Sequence, residues 1–181
     1  MNRTRNISML ATAVSLVGIA LLSSPAAADD YVQPVNDSIT VDGVEYRADV
    51  MPGFDPSSGV QIAGSPTQTR ATARSGSFCR TGWVVPGTGT KYTSVQGCSV
   101  IGWDAKAKWT YDWAANFNSS GRICAEGKGF VKSGTRYVQT WRGLGCNSSG
   151  SGTVPWGNVA GNLQMRGYVT SVPIGWAGDF G

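Results

Sequence analysis

The sequence predicts an all-β protein: a small disulfide-bonded β-sandwich or barrel built from two tandem repeats, preceded by a flexible arm that carries a β-hairpin. Three observations predict it. A cysteine-bearing stretch occurs twice, first as Cys79-Arg80-Thr81-Gly82, Gly89-Thr90-Lys91-Tyr92 and Gly97-Cys98. It returns as Cys124-Ala125-Glu126-Gly127, Gly134-Thr135-Arg136-Tyr137 and Gly145-Cys146. Residues 103–113 alternate apolar and polar with period two, which is the signature of a half-buried strand. Asp42-Gly43, between Ser38-Ile39-Thr40-Val41 and Val44-Glu45-Tyr46-Arg47-Ala48, is a two-residue hairpin signal.

Residues 1–28 read as a signal peptide. Arg3 and Arg5 form a short basic region, Ile7 to Leu22 is an apolar run, and Ala26-Ala27-Ala28 offers a small-residue cleavage site. The mature chain is expected to start at Asp29, to be secreted and extracellular, and to have no membrane span. An oxidising compartment makes the four cysteines a disulfide framework. Four cysteines allow three pairings. If each copy of the repeat closes its own bridge, the pairs are Cys79–Cys98 and Cys124–Cys146, each closing a loop worth about 3 kcal/mol on the chain-entropy model.

Residues 29–51 form an acidic arm. In its hairpin, Val41 faces Val44 and Ile39 faces Tyr46, so these four share an apolar face while Thr40, Glu45 and Arg47 share the polar one. A two-stranded hairpin is marginal alone in water. The apolar face must therefore cover the carboxy-terminal domain or be held for a partner. Residues 52–76 read as a flexible linker, rich in Pro, Gly, Ser and Thr.

Residues 77–181 form the duplicated domain, with repeats at about 77–120 and 121–181. The copies are offset by 45 residues at the first cysteine (79 to 124), 45 at the Gly-Thr pair (89 to 134) and 48 at the second cysteine (98 to 146). Steady offsets argue for a real duplication. Between the copies lies the alternating stretch, with Trp103, Ala105, Ala107, Trp109, Tyr111 and Trp113 on one face. Asp104, Lys106, Lys108, Thr110 and Asp112 lie on the other. The loop at residues 147–153 breaks the repeat and is a candidate presenting segment for an enzyme inhibitor.

Charge is divided unevenly. Residues 29–75 hold seven acids and three bases (7 − 3, net −4), and residues 76–181 hold four acids and ten bases (10 − 4, net +6). A basic surface attracts polyanions, but nucleic acid is not an expected partner of an exported protein. There is no histidine, which removes Ser-His-Asp and Cys-His catalysis and histidine metal sites. Cysteines in disulfides are neither nucleophiles nor zinc ligands. A glycosidase needs two carboxylates within about 10 Å, yet Asp104 and Asp112, eight residues apart on one strand, would stand about 26 Å apart. No catalytic residue, metal or cofactor is expected. Most of the seven tryptophans are expected to fill the core. Trp176, in Pro173-Ile174-Gly175-Trp176-Ala177-Gly178, is the one expected to be exposed and available to stack on a sugar.

The layout of signal peptide, polar hairpin-bearing arm and Gly- and Trp-rich disulfide domain resembles the adaptor subunits of bacterial umbrella-toxin particles. That resemblance implies a protein that joins a lectin to a toxin-bearing subunit, with an amino-terminal extension docking on the latter. The one-faced hairpin on a long polar tether makes the expected function a non-catalytic protein-interaction module whose arm adds strands to an extracellular protein partner. Ile39, Val41, Val44 and Tyr46 would supply the apolar contacts. The alternatives are a carbohydrate or cell-wall binding module using exposed tryptophan, with a polysaccharide as ligand, and a secreted enzyme inhibitor.

Overall fold

The hairpin forms as its turn chemistry dictates. In the computed structural model, which describes residues 35–64, 79–87, 89–116, 121–170 and 175–181, β1 (Val35–Val41) and β2 (Val44–Val50) are joined by Asp42 and Gly43 at φ 49° and 80°. Both are positive, as a type I′ turn requires. The register is the expected one, with Val41 opposite Val44 and Ile39 opposite Tyr46. The chain then makes a 3-10 turn at Pro56–Ser58, capped by Asp55, whose carboxylate accepts the Ser57 N–H at 2.9 Å. β3 (Val60–Ala63) follows. Residues 52–64, expected to be linker, thus belong to the fold. The expected signal peptide at residues 1–28, residues 29–34 and residues 65–78 lie outside the described residues.

Beyond the first cysteine come β4 (Thr81–Val85), β5 (Tyr92–Thr93), β6 (Ser99–Gly102) and β7 (Lys108–Ala115). β8 (Ile123–Ser133) and β9 (Arg136–Asn147) form a long hairpin around Gly134, whose φ is 62°. β10 (Gly150–Pro155), β11 (Val159–Asn162), β12 (Met165–Val169) and β13 (Trp176–Phe180) complete the chain. The protein is all-β, and among the described residues no helix is long and apolar enough to cross a membrane.

Among the described residues the strands form three sheets in a sandwich-like stack with no closed barrel. The first runs β1-β2-β11-β6-β3, the second β10-β7-β13-β4 and the third β5-β12-β8-β9. The second and third face one another through a main apolar cluster that holds Trp83, Trp109, Trp113, Trp156 and Trp176. Their close approach rests on two glycines of β8. A Cβ on Gly127 would stand 2.7 Å from the Tyr111 ring, and one on Gly129 would stand 2.5 Å from the Pro155 carbonyl oxygen. Tyr111 spans the same interface, donating its hydroxyl to the Lys128 carbonyl at 3.0 Å. Phe130 meets Trp156 edge to face, with centroids 5.0 Å apart, a favoured arrangement of two quadrupoles.

The first sheet has a cluster of its own. Ala48, Ile101 and Ala160 are fully buried, and Ile39, Val41, Tyr46, Val50, Phe54, Val60 and Ile62 pack on them. Asn162 ties the former linker to this sheet. Its amide donates to the Gly53 carbonyl and to Gln96 Oε1, while its oxygen accepts from the Ser99 hydroxyl at 2.8 Å.

Both bridges join the expected partners, Cys79–Cys98 and Cys124–Cys146. They do different jobs. Cys124 and Cys146 face each other across the β8–β9 ladder. Cys79 and Cys98 precede β4 and β6, strands of different sheets. The two copies also use their middle segments differently. β4 and β5 lie in different sheets, whereas β8 and β9 pair along their length. The repeated residues therefore do not give two strand units of like pairing.

Candidate functional site

The expected alternating strand is broken in its first half, and the break creates a site. β7 starts only at Lys108. From there alternation holds, with Trp109, Tyr111 and Trp113 buried and Lys108 and Thr110 exposed. Upstream, Asp104 turns the chain: its carboxylate accepts the Lys106 N–H at 2.8 Å and its carbonyl accepts the Ala107 N–H at 3.1 Å. Such an Asx turn offers the backbone an alternative to the ladder. Trp103 is left at the end of β6, anchored by its N–H to the Ala63 carbonyl at 2.8 Å, with its side chain 44% exposed.

Trp103 borders a groove of about 200 Å³, lined by Glu45, Tyr46, Arg47, Gly102, Trp103 and Asn158. The Tyr46 and Trp103 rings meet at a centroid distance of 5.8 Å and 77° between planes. The groove exists because two strands are out of step. β11 pairs with β2 only at Asp49 and Val50, so among the described residues the stretch of β2 from Val44 to Ala48 has no strand on that side. Val41 and Val44 flank a two-residue turn, so the even-numbered residues of β2 direct their backbone groups to β1 and the odd ones away from it. The Asp49 N–H and Met51 N–H, both odd, do bond to the Asn158 and Ala160 carbonyls on that far side. Glu45 and Arg47 therefore turn their N–H and C=O toward the groove. Gly102 closes the wall where a Cβ would lie 1.6 Å from the Gly157 carbonyl oxygen.

The Glu45 and Arg47 side chains leave β2 on the sheet face opposite Tyr46 and lie exposed beside the groove. Arg47 and Glu45 approach to 4.0 Å, with side chains 81% and 60% exposed, and the Ser38 hydroxyl donates to Glu45 at 2.6 Å.

The residues expected to meet a partner are placed differently. Ile39, Val41 and Tyr46 pack on the protein's own second cluster, and Val44 is 45% exposed. Their face is thus largely occupied by Ile101 and Ala160. Trp176, expected to be exposed, is 1% exposed. The reason is its strand: β13 lies between β7 and β4, and Trp176 packs edge-on to Trp83 and donates its indole N–H to the Ser148 carbonyl at 2.9 Å. Residues 147–153, expected to be a presenting loop, are the end of β9, a tight turn and the start of β10, which pairs with β7.

A second polar cluster lies on the third sheet. Glu126 is partly buried, which raises its pKa, but hydrogen bonds from Lys91 and Arg166 outweigh this and hold it below the usual range. The Arg166 guanidinium stacks 4.6 Å from the Trp141 centroid. Lys128, 5% exposed, has no hydrogen-bonding or ionic partner for its ammonium among the described residues; the Phe130 ring centroid lies 5.9 Å away. Among the described residues no three His, Cys, Asp or Glu side chains converge as a metal site would require. No protein-family model, curated protein or solved structure matches this chain.

Proposed function

We propose that the protein is a secreted, non-catalytic interaction module whose hairpin binds an extracellular protein partner by strand addition along the outer edge of β1. The observation that carries this reading is how poorly that edge is guarded. Natural sheets blunt their edges with short strands, basic residues, proline or bulges. β5 spans two residues, β3 four, and β4 five between Arg80 and Pro86. β10 ends in Pro155, and β9 carries Arg136, Arg142 and the register shift opposite Ala125 and Glu126. β1, by contrast, pairs with β2 over seven residues without a bulge and contains no Lys, Arg or Pro.

Its residues Ser38 and Thr40 turn their backbone groups outward by the same parity that turns Glu45 and Arg47 into the groove. Backbone bonds at such an edge give affinity, and side chains at alternate positions give specificity. The exposed Val44 at the hairpin tip adds an apolar contact. The resemblance in layout supplies a setting, an adaptor in an extracellular antibacterial toxin complex.

The test is co-purification from native culture medium with mass spectrometry, using wild type, Thr40→Pro and Thr40→Ser. Proline is accepted on an edge strand where the N–H faces outward, so Thr40→Pro removes one docking donor and leaves the β1–β2 ladder intact. A partner held by wild type and by Thr40→Ser, but lost at least tenfold with Thr40→Pro, supports the reading. Equal recovery with Thr40→Pro, or no retained protein, counts against it.

A further inference from the structure

The groove on the other side of the hairpin differs from the open edge in having an aromatic lining, Trp103 and Tyr46. We infer that it is a saccharide subsite, taking one pyranose ring of a polysaccharide with the ring face on Trp103. Four features point to that occupant. Trp103 is 44% exposed, while Trp83, Trp109, Trp113, Trp156 and Trp176 are each no more than 6% exposed. A fold that buries these five indoles leaves this one at the mouth of a groove. Tyr46 meets it edge to face, which fixes the pair as a rigid platform at low entropic cost. The C–H face of a sugar ring is apolar and matches such a platform, while its rim of hydroxyls needs donors and acceptors in the plane of the ring. Those are supplied by the backbone groups of Glu45 and Arg47 on one wall and by Asn158 at the end of the groove.

Size separates a sugar from a peptide. The groove's volume of about 200 Å³ lies below the roughly 300–1,000 Å³ of pockets for drug-sized ligands. It therefore suits one ring of a longer chain rather than a buried whole ligand. An extended peptide would need a run of open backbone. Here only Glu45 and Arg47 offer it before the Asn158 carbonyl, already bonded to the Asp49 N–H at 3.0 Å, closes the wall. The rim charges Arg47 and Glu45 lie within 4.0 Å of each other and largely offset, which favours an uncharged sugar over a uronic acid.

The experiment is depletion of the full-length secreted protein from solution by insoluble cellulose, chitin and peptidoglycan. Wild type, Trp103→Ala, Trp103→Phe and Thr40→Pro are compared at equal concentration. Wild type and Thr40→Pro should be retained by at least one of the three, Trp103→Phe retained in large part, and Trp103→Ala at least tenfold less. Because Trp103 is half exposed, all four should melt alike by circular dichroism. If Trp103→Ala melts lower, iodide quenching of wild-type tryptophan fluorescence decides. Addition of soluble fragments of the retaining polysaccharide should protect the exposed indole. Retention on none of the three, equal retention of Trp103→Ala, or unchanged quenching overturns the proposal. Loss of retention in Thr40→Pro as well as Trp103→Ala would place the sugar on the strand edge and equally overturn the assignment to the groove.

Discussion

Replacing Lys128 with methionine should make the protein more stable at neutral pH and flatten its dependence on alkaline pH. Lys128 is 5% exposed and its ammonium has no ionic partner among the described residues; burial pushes it down from 10.5 to about 8. Its strand neighbours are Trp141 on β9 and, two residues away, Glu126, which is already engaged by Lys91 and Arg166. A lysine whose folded pKa is depressed binds fewer protons folded than unfolded across the window from about 8 to 10.5. Unfolding free energy therefore rises with pH in that window, by about 1.4 kcal/mol per unit. The whole window amounts to about 3 kcal/mol, and the accessible part, from pH 8 to 9.5, to about 2 kcal/mol. The upper limit avoids tyrosine. Burial pushes Tyr111 up, which works in the opposite direction once unfolded tyrosine ionises near pH 10.

The assay is urea unfolding at half-unit steps from pH 7 to 9.5 with both disulfides intact. Wild type should gain about 2 kcal/mol over the range. Lys128→Met should start higher by a similar amount and show little slope. Lys128→Arg, which cannot shed its proton, should be less stable than wild type throughout. Parallel slopes in wild type and Lys128→Met would show that the amine is solvated and refute the reasoning.

Limited reductant should open Cys124–Cys146 before Cys79–Cys98, because Cys146 is exposed whereas Cys79 and Cys98 are 2% and 7% exposed; alkylation mapped by mass spectrometry checks the order, and earlier labelling of Cys79 would contradict it. Gly129→Ala should destabilise by about 1–3 kcal/mol or more, since the new methyl would stand 2.5 Å from a backbone carbonyl that cannot swing away; an unchanged melting temperature would show that β8 and β10 are less tightly apposed. Removing residues 29–64 should abolish a cooperative melt or leave the chain insoluble, because it strips β1, β2 and β3 from the first sheet and uncovers Ile101 and Ala160; a shortened chain melting like the full protein would refute this.

What the sequence disclosed and what it hid divide along the range of the interactions involved. Turn chemistry is local, so Asp42-Gly43 specified the hairpin and its register residue by residue. The bridges followed from the duplication, since each copy carries its own pair of cysteines. The alternating stretch is a strand only in its second half. Period-two patterning identified Trp109, Tyr111 and Trp113 as buried, but the Asp104 side chain competes locally with the ladder and releases Trp103. An Asp two residues before Lys106 was the available signal. Trp176 is buried for a different reason. Its neighbours Pro173, Gly175 and Gly178 suggest a tail, and only pairing with β4, nearly a hundred residues earlier in the chain, makes β13 a core strand.

The arm shows why an apolar face is weaker testimony to a partner than an open edge. A one-sided hairpin in the sequence needs some apolar surface to cover, and the nearest supply is the chain's own, here Ile101 and Ala160. Once that demand is met within the molecule, the face carries no information about partners. Backbone edges are another matter, because a strand satisfied on one side leaves every second N–H and C=O unsatisfied on the other, whatever the side chains do. In this hairpin the two sides differ: β2 is only partly covered by β11, and β1 is uncovered among the described residues. Deleting the arm would remove both edges and the cover of the second cluster together, so a lost activity could not be traced to any of them. Thr40→Pro and Trp103→Ala separate the two sides, because the first alters only the outer edge and the second only the groove.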